Sequence, residues 1–225
     1  DYTVYDYQKD CRKKIEEILS KNKTPIIVGG TGLYINAVLY DYKFEQEKND
    51  SSYEKFNNDE LYQQLIRIDP NTNIHKNNRK RIIRALNYYQ NNNKPMSEKE
   101  TTNNLLYDAF IVGLTTDREK LYDRINKRVD IMIENGLEKE AKKIYNTGIR
   151  SKAVMTPIGY KELFAYFDSI ISREEAIELI KKRSRNYAKR QYTWFNNKLN
   201  VKWFDVNFDN FNKTIDDVKK YIEGD

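Results

Sequence analysis

A chain of 225 residues with 40 Lys+Arg against 34 Asp+Glu, net charge +6, has room for one large domain or a domain with a smaller insert, and its basic excess admits a polyanionic partner. One cysteine, Cys11, excludes an intramolecular disulfide framework and a Cys-based zinc cluster; one histidine, His75, argues against a His-rich metal site and a Ser-His-Asp triad. No apolar run approaches the roughly 20 residues that cross a bilayer, so a soluble, cytoplasmic protein with no membrane partner is expected, and Asp1-Tyr2-Thr3-Val4 reads as mid-chain.

Tyr7, Cys11, Ile15, Ile18 and Leu19 recur at helical spacing, and after a polar turn the run Pro25-Ile26-Ile27-Val28 predicts a buried strand. Gly29-Gly30-Thr31-Gly32 follows directly, and Leu33 to Leu39 resumes as helix, which makes one α/β unit. From about Asp41 to Asn58 the chain turns polar and Asn-rich, as a loop or hinge does. Asp59 caps a helix with Leu61, Leu65 and Ile68 inward that ends at Asp69-Pro70. A second helix, about Asn77 to Gln90, puts Ile82, Ile83, Leu86 and Tyr89 on one side, with Arg79, Lys80, Arg81 and Arg84 in its first half. Two helices between polar joints read as a helical insert.

Phe110-Ile111-Val112-Gly113-Leu114 predicts another buried strand, and Thr116 with Glu119 a capping box for a helix with Leu121, Ile125, Val129 and Met132 inward. A shorter helix buries Leu137, Ala141, Ile144 and Tyr145 and stops at Gly148. Ser172 and Glu175 open the longest helix, with Ile177, Ile180, Ser184, Ala188, Gln191 and Phe195 on one stripe. Val201 to Phe204 reads as a late strand and Ile215 to Ile222 as a closing helix.

Glycines at 29, 30 and 32 can bring backbone amides close to an anion at a helix start, or simply make a tight connection; the spacing is neither a dinucleotide fingerprint nor a Walker A loop. Arg124 and Arg128, one turn apart, can grip a pyrophosphate or pair with Asp123 and Asp130 on a solvated face. Lys80, Arg81 and Arg84, and Lys181, Arg185 and Lys189 at four-residue steps, can neutralise nucleic-acid phosphates or be ordinary surface. No acidic residue falls between Leu179 and Phe204. Tyr187, Tyr192, Trp194 and Phe195, interleaved there, can stack on an extruded base or fill a core. The residues alone stop at an α/β domain with an anion-binding turn and basic patches.

As strings, these segments resemble the tRNA dimethylallyltransferase (tRNA isopentenyltransferase) family of bacterial type. The resemblance rests on Tyr2 to Gln8, on Pro25 to Ile35, on Ile68-Asp69-Pro70 with Asn77 to Leu86, on Leu121 to Ile125 with Arg128-Val129-Asp130, on Ile158 to Glu162 and on Tyr187 to Phe195. It implies an α/β, P-loop NTPase-like core with a parallel sheet (residues 1–43 and 101–225) plus a small helical insertion domain (44–100) that contacts tRNA. It implies transfer of a dimethylallyl group from dimethylallyl diphosphate, with Mg2+, to the N6 amine of the adenosine 3′ of the anticodon, by a monomer that binds the anticodon stem-loop. The alternatives kept open are a noncatalytic RNA-binding module and an adenylate isopentenyltransferase acting on free nucleotide.

On that resemblance Thr31 and Arg128 are expected at the reacting groups. Gly29, Gly30, Gly32, Arg124, Lys189, Arg190 and Gln191 are expected to line the substrate. Lys80, Arg81, Ile82, Ile83, Arg84, Thr156, Gly159, Tyr160, Lys161, Lys181 and Arg185 are expected to meet tRNA. The family's P-loop and the segment with its expected general-base aspartate should precede Asp1, and the insert reads as shortened near Lys43 to Tyr53 and Pro70 to Asn73. The chain as written is expected not to turn over by itself.

Overall fold

The computed structural model describes residues 2–44, 50–99 and 104–224. The expected boundary at 100/101, and residues 45–49 of the polar linker, lie outside the described residues. The chain forms two compact units, Asp1–Ile27 with Leu33–Asp108, and Val28–Gly32 with Ala109–Asp225; the stretch 44–100 falls inside the first.

In the first unit, α1 (Val4–Leu19) opens with a capping box, Thr3 and Asp6 each accepting the other's backbone N–H. Its buried positions are Gln8 and Ile15, and Leu19 is exposed. That polar face serves α2 (Gly32–Leu39), whose last carbonyls have no partner inside the helix. Gln8 Nε2 donates to the carbonyls of Ala37 (2.6 Å) and Tyr42 (2.8 Å). The Arg12 guanidinium donates to Ala37 (2.9 Å), Val38 (3.1 Å) and Tyr40 (2.6 Å). The two side chains thus fasten α2 to α1 where apolar periodicity alone predicts only packing.

The polar linker is not all loop. Ser51–Lys55 forms a 3-10 turn that buries Tyr53. The cap of α3 (Asn58–Ile68) is Asn57, not Asp59: Asn57 accepts from the Glu60 N–H (3.0 Å) and Glu60 returns the bond (2.8 Å). α3 packs on α4 (Arg79–Asn92) through Leu61, Leu65, Ile82, Ala85 and Leu86, with Tyr53 in the same cluster. Asp69 is buried at the end of α3 and accepts from the Ser97 N–H (3.0 Å) and hydroxyl (2.5 Å), which satisfies a carboxylate that burial would otherwise penalise.

The second unit holds the parallel sheet, β1 (Val112–Thr115) beside a later strand. α5 (Arg118–Glu134) is capped by Asp117 rather than Thr116, because the Asp117 carboxylate accepts from both the Glu119 and Lys120 N–H groups. α6 (Leu137–Asn146) follows the left-handed Gly136. Two helices too short to show a period follow, α7 (Lys152–Met155) and α8 (Tyr160–Phe167). α9 (Arg173–Lys198) starts at the expected Ser172/Glu175 capping box. β2 (Lys202–Asp205) runs parallel to β1 in the register Val112↔Lys202 to Thr115↔Asp205, and α10 (Phe211–Glu223) closes the chain. Val129, Ala141, Leu163, Phe164, Ala176 and Ile180 form the helical core.

The run Pro25 to Val28 departs from expectation. It is not a strand, and Ile26 and Val28 are 83% and 92% exposed. An apolar run becomes a buried strand only beside a hydrogen-bonding neighbour, and among the described residues β1 and β2 pair with each other and no strand takes this segment. Among the described residues no helix is long and apolar enough to cross a membrane.

Candidate functional site

Within the second unit, α9 reaches the glycine turn with two side chains one helical turn apart. Gln191 Nε2 donates to the Gly30 carbonyl at 2.8 Å, and Trp194 lies against Gly32. A Cβ on Gly30 would collide with the Gln191 amide, and one on Gly32 with the Trp194 ring, whereas a Cβ on Gly29 would meet open space. None of the three has a positive φ. Close approach by α9, not a left-handed turn, is what requires glycine at 30 and 32. Thr31 stands between the two fastened residues, exposed, with no hydrogen-bond partner among the described residues.

Between Gln191 and Trp194 on α9, Tyr192 donates to the Thr115 hydroxyl at the end of β1 (2.9 Å) and stacks on Trp203, which ties the helix to the sheet. The expected aromatic run is therefore mostly structural; Tyr187 remains exposed, with the Arg190 guanidinium 5.8 Å from its ring centre. Lys189 and Arg190 are exposed.

On α5, Arg124 and Arg128 are both exposed, and neither makes an ion pair among the described residues. Asp130, the expected partner on a solvated face, is taken by Lys181 of α9 at 2.8 Å. Arg124 lies over the Phe208 ring, 4.0 Å from its centre, which fixes its plane by a cation–π contact. Arg128 keeps its guanidinium available for an anion.

Two expected tRNA contacts have other duties. Lys181, its side chain 16% exposed, is held by Asp130 and by Glu178 (3.2 Å), and Arg185 donates to Asn126 at 2.5 Å. Both cross from α9 to α5, so their spacing serves packing. The bond to Asp130 raises the Lys181 pKa. A raised lysine stabilises fully below its unfolded value, about 10.4, and loses that contribution as pH rises through the folded value. Lys181→Met is therefore expected to lower stability by about 0.5–1 kcal/mol, discounted for the half-exposed Asp130, with a constant difference from pH 6 to 9 in urea unfolding. An altered tRNA salt dependence in this variant would contradict the packing role.

In the first unit, Lys80, Arg81 and Arg84 are exposed on α4. Ile82 is fully buried and Ile83 partly buried against the same core, so both hold the helix that carries the cations, and only Ile83 keeps some surface of its own. Arg79, beside them, is a clamp: it donates to the carbonyls of Phe56, Tyr53 and Glu54.

Among Thr156, Gly159, Tyr160 and Lys161, the first and last are exposed. Gly159 is buried with φ +122°, and its N–H donates to the buried Glu162 carboxylate at 2.8 Å. Glu162 also pairs with Arg183 of α9. Tyr160 donates to Glu140, which raises its hydroxyl pKa. The pairing of Glu162 with Arg183 is not legible in the sequence, although a carboxylate three residues after a glycine that precedes a helix carries the spacing of a cap.

Among the described residues no three His, Cys, Asp or Glu side chains converge. The side chains present therefore do not fit a protein-held cage for the Mg2+ that the resemblance implies. What they offer is exposed guanidinium and backbone amide, the chemistry of anion recognition.

Residues 1–198 match the family described as IPP transferase. A tRNA dimethylallyltransferase of Anoxybacillus flavithermus is 47% identical over 99% of this chain and 75% of its own length. The full-length tRNA isopentenylpyrophosphate transferase of Bacillus halodurans superposes with a TM-score of 0.71 at 40% identity, over 100% of this chain and 74% of that one. A eukaryotic dimethylallyltransferase acting on tRNA gives 0.73 at 27% identity, over 90% of this chain and 57% of that one.

Proposed function

The chain belongs to the IPP transferase family, and from that membership we propose that it is a tRNA dimethylallyltransferase, moving a dimethylallyl group from dimethylallyl diphosphate to the N6 amine of the adenosine 3′ of the anticodon. In this reading the N6 lone pair forms a bond to C1 of the dimethylallyl group, the C1–O bond breaks, pyrophosphate leaves with the bonding electrons, and the amine sheds one proton. Negative charge builds on the leaving diphosphate, so the groups that matter most are fixed donors and cations near it.

The observation that carries the reading is the exposed, unpaired Arg128, in the same unit as a glycine turn whose Thr31 is free to bond. Arg124, Lys189 and Arg190 add positive charge in that unit. Lys80 and Arg81 supply the RNA side in the other and favour tRNA over a free nucleotide, which needs no extended basic surface. Thr156 and Lys161 are further contacts in this reading, and the protein acts as a cytoplasmic monomer on the anticodon stem-loop.

The test is a prenylation assay of the full-length gene product with anticodon stem-loops carrying adenosine or guanosine at the target position. Transfer to adenosine alone is expected; transfer to both, or to neither, overturns the reading. Lys80→Ala with Arg81→Ala is expected to weaken stem-loop binding and to lower the slope of log Kd against log salt by about 2, one for each phosphate contact. Titrations at several salt concentrations measure this, and an unchanged slope removes α4 from the RNA interface.

A further inference from the structure

The Gly30 carbonyl and the Thr31 N–H belong to one planar trans peptide, so they point in opposite directions. Gln191 fastens the carbonyl toward α9 at 2.8 Å. The Thr31 N–H therefore points away from α9, and it has no partner among the described residues. Trp194 against Gly32 holds the turn on the other side of Thr31, and the space where a Gly29 Cβ would lie is open.

Turning the Gly30–Thr31 peptide takes up ψ of Gly30, which glycine changes at low cost, and φ of Thr31, which is not positive and which a β-branched residue carries past zero only with strain. Flipping the Gly30–Thr31 peptide would replace the outward N–H by a carbonyl oxygen. A donor for an anion would then become a group that repels it. Gln191 adds to the restraint that Thr31 itself imposes and sets the direction of the carbonyl, and the missing Cβ at Gly30 is what lets its amide reach it.

We infer that Gln191 is a positioning residue: by holding the Gly30 carbonyl it presents the Thr31 N–H to the diphosphate of the prenyl donor, and it does not itself touch the phosphate. The inference rests on the function proposed above and replaces the expectation that Gln191 lines the substrate. One of its two amide hydrogens is used on the protein.

Three measurements on the full-length protein, as wild type, Gln191→Ala, Gly30→Ala and the double variant, test it: the KM for dimethylallyl diphosphate, the affinity for inorganic pyrophosphate by calorimetry, and the Kd for the anticodon stem-loop. Gln191→Ala is expected to weaken donor and pyrophosphate binding roughly tenfold, the scale of one hydrogen bond to a charged group, with stem-loop Kd and unfolding midpoint unchanged. Gly30→Ala expels the Gln191 amide, so the double variant should lose no more than Gly30→Ala alone. If the two losses multiply, Gln191 contacts the diphosphate directly and the positioning role is wrong. Unchanged pyrophosphate affinity in Gln191→Ala, or parallel losses of stem-loop affinity and stability, also overturns it. A wild type that binds pyrophosphate but transfers no prenyl group refutes the proposed function, and the calorimetry still decides the role of Gln191. A wild type that binds no pyrophosphate refutes the inference itself.

Discussion

Arg128→Ala is expected to lower the rate of prenyl transfer by about 10²–10³-fold, the scale seen when one preorganised group facing developing negative charge is removed, and to leave stem-loop affinity within about twofold. Arg128 carries no ion pair among the described residues, and Asp130, two positions on and turned to another side of the helix, bonds Lys181. α5 is anchored to the core by Val129, the next residue, which is buried. An exposed arginine with its fork unpaired can close on a bidentate oxyanion without first breaking another ion pair, at the cost of ordering its side chain. Arg124 is different, since its guanidinium already lies over Phe208; Arg124→Ala should cost less. Single-turnover transfer by the full-length protein, beside filter binding of the same stem-loop, separates the two effects. Arg128→Lys should recover part of the rate, because charge survives while the two-pronged geometry does not. Equal losses of rate and RNA affinity would move Arg128 from the diphosphate to the RNA.

The same helix pair shows what was legible in the sequence. Apolar periodicity located α1, α3, α4, α5, α6 and α9, and the Ser172/Glu175 box marked the start of α9 to the residue, because spacing and capping are local and a sequence carries local physics directly. Cap choice was less legible: Asn57 and Asp117 outcompeted Asp59 and Thr116, candidates only one or two residues away. α7 and α8 are too short to show a period. The strand expected at Pro25 to Val28 failed because apolar character signals a need for burial and not the presence of a partner. At the site, residue types pointed to the glycine turn and the α5 arginines, and structural similarity joins this chain to prenyltransferases. The division of labour among the cations was hidden. Lys181, Arg185 and Lys189 look equivalent at four-residue steps, yet the first two bond to Asp130 and Asn126 on another helix and the third is exposed. Only the packing of α9 on α5 makes that distinction, and packing is nonlocal.

Glu162→Ala should be the most destabilising single substitution proposed for this chain, about 2–3 kcal/mol, which for a chain of this size lowers Tm by roughly 5–10 °C. The Glu162 side chain is 1% exposed and carries two partners: the Gly159 N–H at 2.8 Å and the Arg183 guanidinium on α9. Truncation leaves a buried N–H at the start of α8 without an acceptor, and it leaves Arg183 without the carboxylate that draws it in. Arg183 is partly exposed and can turn to water, which is why the expected loss lies below the 3–5 kcal/mol of a fully buried pair broken on one side. Glu162→Gln separates the two contributions, since the amide oxygen still accepts from Gly159 while the charge is gone; about half the loss is expected, and it should fall with added salt. The consequence reaches the RNA side as well. Glu162 fixes Gly159 at φ +122°, and Thr156 and Lys161 flank that turn, so a loosened turn should reduce stem-loop affinity in Glu162→Ala more than in Glu162→Gln. Urea unfolding beside stem-loop titration tests both points, and a Glu162→Ala protein within 0.5 kcal/mol of wild type would show that Arg183 and Gly159 find other partners without it.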